Sequence, residues 1–131
     1  MKCCASCDRL VLAVVGLLGL CGVLAGALGA HPPEGFLVEE GQRSSWNSAV
    51  IFLLFHVLAI LALANLREGT LAPFRLSGLL MFAGAILFSG SIFALSAGGP
   101  GWLGPVTPVG GLLLMAGWGA LFLRLLVGGK N

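Results

Sequence analysis

Four long apolar runs organise the chain, separated by short stretches rich in proline, glycine and charge. The first, Leu10 to Ala30, holds 21 residues without a charge. At 1.5 Å per residue a helix of that length spans roughly 30 Å, the thickness of a bilayer's hydrocarbon core. The second, Ser48 to Leu66, holds 19 residues, with His56 its ionisable group. The third, Leu76 to Ala97, holds 22 uncharged residues. The fourth runs 19 residues from Val109 to Val127 and contains Arg124. An arginine in the last turn can snorkel to the interface, so this run also spans.

The connections break where the apolar runs end. His31 to Asn47 carries Pro32, Pro33, Glu34, Glu39, Glu40 and Arg43, and Arg67 to Arg75 carries Pro73. Gly98 to Pro108 reads GGPGWLGPVTP, which cannot be regular helix throughout. A transmembrane barrel needs alternating segments of about ten residues, and no such alternation is visible. The pattern predicts an all-α polytopic membrane protein, a bundle of four transmembrane helices over 10–30, 48–66, 76–97 and 109–127. A cysteine-rich tail over 1–9 and a short tail over 128–131 flank the membrane domain of 10–127.

Composition agrees. Hydrophobic residues make up 58% of the 131 residues and charged ones 9%, far below the quarter or so that covers a soluble domain. The net charge of +2 and the lack of a basic stripe argue against nucleic-acid binding. The distribution of charge is more informative. Lys2, Arg9, Arg67, Arg75, Arg124 and Lys130, six of the seven basic residues, fall on one side of a four-span topology. The positive-inside rule then places both termini in the cytoplasm. Trp46 and Trp102 fall near the outer ends of spans, where indole favours the interface.

The first run also imitates a signal peptide: Lys2 and Arg9 precede it, and Ala25-Gly26-Ala27 resembles a cleavage site. Its length exceeds the usual h-region of about 7–15 residues, so we read it as an uncleaved span. A lipoprotein reading fails at Leu20, which is large where a small residue should precede Cys21.

Glycine marks the expected helix contacts. Gly16, Gly19, Gly22, Gly26 and Gly29 fall within an arc of about 140°, and Gly22 and Gly26 form a GxxxG pair. Lipid tails are as apolar as leucine, so helices associate through close packing. The third span adds Gly84 and Ser89-Gly90-Ser91, the fourth Gly110, Gly111, Gly117 and Gly119. Packing within one subunit is the plainer reading of these faces, a dimer interface the rival. Small residues on three helices predict a tight bundle with no large cavity.

His56 is the candidate polar site within a span, about 12 Å below the outer end of its helix. The same depth on the other helices gives Gly22 beside Cys21, then Ser89, then about Gly117. An imidazole in that layer can bond a serine hydroxyl or a freed carbonyl. It reads either as a structural hydrogen bond or as a functional group, since an intramembrane ionisable residue is a functional hypothesis by default. His31 reads as a cap on the first span, or as an external ligand with Glu34, Glu39 or Glu40. Cys3, Cys4 and Cys7 form a CxxC flank that lacks the partner pair of a zinc site; an unremarkable tail or palmitoylation are the readings. Phe36 to Arg43, FLVEEGQR, reads as a surface-lying amphipathic segment or a plain loop. No phosphate loop, nucleophile elbow or catalytic carboxylate pair is visible, and no metal or cofactor is expected.

Several motifs occur in a distinctive order. Gly29-Ala30-His31 closes the first span. Trp46, Ala49-Val50 and His56 follow, then Leu87-Phe88-Ser89-Gly90-Ser91, Thr107-Pro108-Val109-Gly110-Gly111 and Gly117-Trp118. Over residues 10 to 127 the chain resembles the small bacterial inner-membrane family of domain of unknown function 423, whose eukaryotic relative is called transmembrane protein 256. The resemblance implies four helices and no established activity. His31, His56, Ser89, Ser91, Pro108, Gly110 and Gly111 match its pattern. The chain departs from it at Ile51 and Phe52, where the family carries a basic residue and a tyrosine. The expected role is that of a structural or accessory protein packing in the bilayer with itself or with a larger membrane complex. The alternative is a small oligomeric transporter or channel that uses His56. An enzyme is not expected.

Overall fold

The computed structural model describes the backbone of residues 2–65 and 75–128 and the side chains of 9–64 and 75–127. Four helices follow one another: α1 (Lys2–Ala30), α2 (Glu40–Asn65), α3 (Arg75–Ser96) and α4 (Val106–Gly128). Each is long and apolar enough to cross a membrane. Hydrocarbon offers no partner to a backbone amide, so each crossing segment must satisfy its own amides as helix. The side chains of Cys3, Cys4 and Cys7, the second connection with Arg67 and Pro73, and Lys130 lie outside the described residues.

Helix ends follow local chemistry. The backbone N–H of His31 donates to Ala27 O at 3.1 Å and closes α1; Pro32 and Pro33 cannot continue it. After α3, Gly98 takes a positive φ of 83°. There the N–H of Ala97 bonds Phe93 O and that of Gly99 bonds Ala94 O, which caps the orphan carbonyls. A 3-10 turn over Gly101–Leu103 leads into α4. Pro108 lies in the first turn of α4, where its missing N–H costs nothing.

Two expectations change. The helix α2 starts at Glu40, eight residues ahead of the expected span, and Glu40 complements the positive end of the helix dipole. FLVEEGQR is therefore not one surface segment. Its second half is the first turn of α2, while Leu37 is buried with φ 53°. That left-handed backbone costs roughly 1–2 kcal/mol, and the contact of Leu37 with Trp46 and Val50 offsets it. Trp46, in the second turn of α2, is buried against protein. It is 5% exposed, held between Phe36 at 5.3 Å and Phe93 at 4.6 Å, centroid to centroid.

The helices pack in chain order: α1 on α2, α2 on α3, α3 on α4. The glycine face of α1 meets α2 in antiparallel register. A Cβ built at Gly19, Gly22, Gly26 or Gly29 would reach Val57, Leu54, Val50 or Trp46 in turn. The closest approach is between α3 and α4. A Cβ at Gly84 would stand 2.8 Å from the backbone nitrogen of Leu114, one at Gly117 would stand 2.7 Å from Cγ of Met81, and one at Gly110 would land on the backbone of Phe88. Val15, Leu53, Val57, Ile60, Met81, Ala85 and Leu114 form the core between them. The expectation of a bundle with no large cavity needs correction. An open groove of about 450 Å³ separates α2 from α4. Rings of Phe52 and Phe55 on α2 and of Trp118 on α4 project there, and Gly111 on α4 adds no side chain to fill the gap.

Candidate functional site

His56 lies at the floor of this groove, on the face of α2 turned toward α4, and is 3% exposed. Both ring nitrogens are engaged. Nε2 lies 3.1 Å from Nε1 of Trp118 on α4, and Nδ1 lies 2.7 Å from the carbonyl oxygen of Phe52 one turn back. An indole N–H can only donate, so Nε2 must offer a lone pair. The proton then sits on Nδ1 and is donated to Phe52. The geometry selects a neutral imidazole in one tautomer, with no polar atom left unpaired.

Aromatic rings surround the pair. Phe55 meets His56 edge to face at 5.4 Å and Trp118 at 5.8 Å, while Phe52 stacks on His56 at 6.0 Å and touches Phe88 at 4.9 Å. Leu114, Met115, Ile51 and Gly111 complete the groove. The site is a hydrogen-bonded pair set in an apolar wall that opens sideways.

Ser89, Ser91 and Trp46 also tie helices together. Ser89 donates to Ala49 O at 2.8 Å and joins α3 to α2. Ser91 donates to Phe88 O at 3.0 Å, so at 2.7 Å it must accept from the hydroxyl of Thr107 on α4. Trp46 donates to Ala25 O at 2.8 Å and joins α2 to α1. In Ser77, fully buried near Gly117, the hydroxyl has no partner.

The depth count from sequence grouped His56 with Ser89, Cys21, Gly22 and Gly117. The structure divides that layer. Ser89 serves Ala49, not His56. Cys21 is exposed on α1, and Gly22 packs on Leu53 and Leu54. Gly117 meets Met81, and its neighbour Trp118 is the histidine's partner. Gly26 contacts Val50, Gly110 contacts Phe88, and Gly111 lines the groove. His31 is exposed; its backbone rather than its ring bonds the end of α1, and no group of three metal-ligating side chains includes it among the described residues. Trp118 and Thr107 were missed as site residues. The available signal was an indole N–H in mid-span, which must find an acceptor.

A family model described as "Protein of unknown function (DUF423)" matches residues 25–111. A UPF0382 membrane protein of Staphylococcus haemolyticus is 34% identical over 110 residues, covering 84% of this chain and 89% of its own. One from Schizosaccharomyces pombe is 34% identical over 115 residues, covering 84% and 96%. One from Bacillus subtilis is 33% identical over 111 residues, covering 82% and 89%. No solved structure matches the chain. The breadth of these matches, together with the four apolar helices, establishes that the chain belongs to the DUF423 family of UPF0382 membrane proteins.

Proposed function

We propose that the protein is a structural or accessory component of the membrane, which acts by packing with copies of itself or with a larger complex. One observation carries this reading: both nitrogens of His56 are committed within the chain, to Phe52 O and to Trp118. A histidine so engaged locks two helices and has no free nitrogen to offer a solute. Ser89, Ser91 and Trp46 are committed in the same way. A hydrolase or transferase needs polar groups that converge on a substrate, so the reading assigns no reaction.

We further propose that both termini face the cytoplasm, on the strength of the six basic residues on that side, and that the membrane is the bacterial inner membrane. A membrane-impermeant maleimide should label Cys3, Cys4 and Cys7 only after permeabilisation. Labelling of intact cells would reverse the topology.

The principal test is the mass of the protein extracted into lipid nanodiscs from its native membrane. A stoichiometric partner, or a defined homo-oligomer impermeable to solutes, supports the reading. A bare monomer contradicts it. pH-dependent flux through liposomes, abolished in His56→Ala, would instead establish the alternative of a transporter.

A further inference from the structure

The end of α1 is both a packing surface and a cleavage motif. Lys2 and Arg9 precede an apolar run in which Ala25-Gly26-Ala27 lies near the end. That is the order of a secretory signal peptide, in which small residues stand first and third before the cut. The scissile bond is then Ala27–Leu28. A protease takes its substrate as an extended strand, so these residues must leave the helix before they can be cut. Alone they would do so readily. Gly26 and Gly29 each weaken a helix by about 1 kcal/mol relative to alanine, and Pro32 and Pro33 end it just beyond.

The contact with α2 holds them as helix. The indole N–H of Trp46 donates to Ala25 O at 2.8 Å, and the backbone N–H of His31 donates to Ala27 O at 3.1 Å. Both residues of the motif thus have their carbonyls engaged beyond the apolar run. Gly29 lies under the indole, where a Cβ would stand 2.6 Å from Cδ1 of Trp46, and Gly26 lies against Val50. Trp46 is itself pinned by Phe36, Leu37 and Phe93. Ala27 is exposed, so conformation protects the bond, not a cover.

We propose that Ala27–Leu28 is a latent signal-peptidase site, kept closed by the docking of α2 on the end of α1. Once the segment unwinds, water adds across the amide, leaving a carboxylate on Ala27 and an amine on Leu28, and residues 1–27 separate. A chain in which α2 has not docked loses its first span. The inference rests on the topology proposed above, which puts the end of α1 on the outer face, where secretory signal peptides are cut.

The full chain is incubated with purified bacterial signal peptidase in mixed micelles, and the products are read by intact mass. Micelles leave both ends of α1 accessible, so this result is independent of the topology, which the maleimide labelling judges separately. The wild type should stay whole, and Trp46→Ala should release residues 1–27 about tenfold faster, since proteolysis of a local opening follows the population that opens. Gly29→Leu, which displaces the indole from the α1 side, should do the same. Gly110→Ala, which strains the α3–α4 contact instead, should stay whole and so separates the local seal from a general loss of stability. Ala27→Leu added to Trp46→Ala should abolish the cut. A wild type cut as fast as the variants, Trp46→Ala and Gly29→Leu that both stay whole, a Gly110→Ala cut as fast as Trp46→Ala, or cleavage that persists with Ala27→Leu would each overturn the proposal.

Discussion

Trp118 on α4 donates its indole N–H to Nε2 of His56 on α2 at 3.1 Å, and that bond decides where the histidine carries its proton. It crosses the place where α2 and α4 stand apart, so one side-chain bond does the work that close backbone packing does between α3 and α4. Buried polar atoms in hydrocarbon are costly unless paired. The two residues therefore need each other: removing either leaves an orphan on the opposite helix.

Trp118→Phe keeps a ring in the groove and deletes the donor. We expect a loss of about 1 kcal/mol in unfolding free energy, the scale of interhelical hydrogen bonds in membranes. A cycle with His56→Leu, read by denaturant titration in micelles, should show coupling of about 0.5–1.5 kcal/mol. Strict additivity of the two substitutions would mean that the bond contributes no stability.

Ser89 and Ser77 are both buried serines on α3, yet they should respond in opposite directions. Ser89→Ala removes a bond to Ala49 O and should cost about 0.5–1 kcal/mol. Ser77→Ala removes a hydroxyl without a partner and should be neutral or stabilising, since an unpaired buried hydroxyl is a cost. Melting temperatures of the two variants check this. A loss in Ser77→Ala equal to that in Ser89→Ala would reveal a partner for Ser77.

Among the glycines of α4, position decides the outcome. Gly110→Ala drives a methyl into the backbone of Phe88, whereas Gly119→Ala points into open space. The first should cost roughly 1–3 kcal/mol, the usual range for overpacking. The second should be neutral or stabilising by up to about 1 kcal/mol, because glycine loses more backbone entropy in a helix than alanine. Equal tolerance of both would argue that α3 and α4 do not approach as closely as described.

Trp46→Phe should destabilise the chain and loosen α1, because the lost N–H leaves Ala25 O and a shaped gap beside Gly29. Trp102→Phe should change little, as Trp102 is 69% exposed. Intrinsic fluorescence separates the two, with the buried indole the less accessible to an aqueous quencher. Similar quenching of both would contradict the burial of Trp46.

The helices were legible because a bilayer leaves few options. Runs of about twenty apolar residues must be helical to satisfy their amides, and proline and glycine end them. The helix α2 begins ahead of the expected span for the same reason. The polar residues Glu40 to Ser45 carry no hydrophobic signal, yet they continue the helix outward. The candidate site was half legible. His56 stands out in any reading, but its partner depended on rotation about α4. A depth count fixes height along a helix and not direction, so it selected Gly117 and missed Trp118 one residue away.

By itself, then, the sequence determined that four helices form and span, and which positions are small enough for close contact. Length, apolarity and glycine spacing are properties of one helix at a time. The tertiary structure decided which faces meet: the glycines of α1 on Val57 to Trp46, Gly110 on Phe88, Ser89 on Ala49, and His56 on Trp118 across an open groove. Between lipid-bathed helices there is no hydrophobic gradient to set rotation. That choice falls to steric fit and a few hydrogen bonds, which exist only once the helices stand side by side.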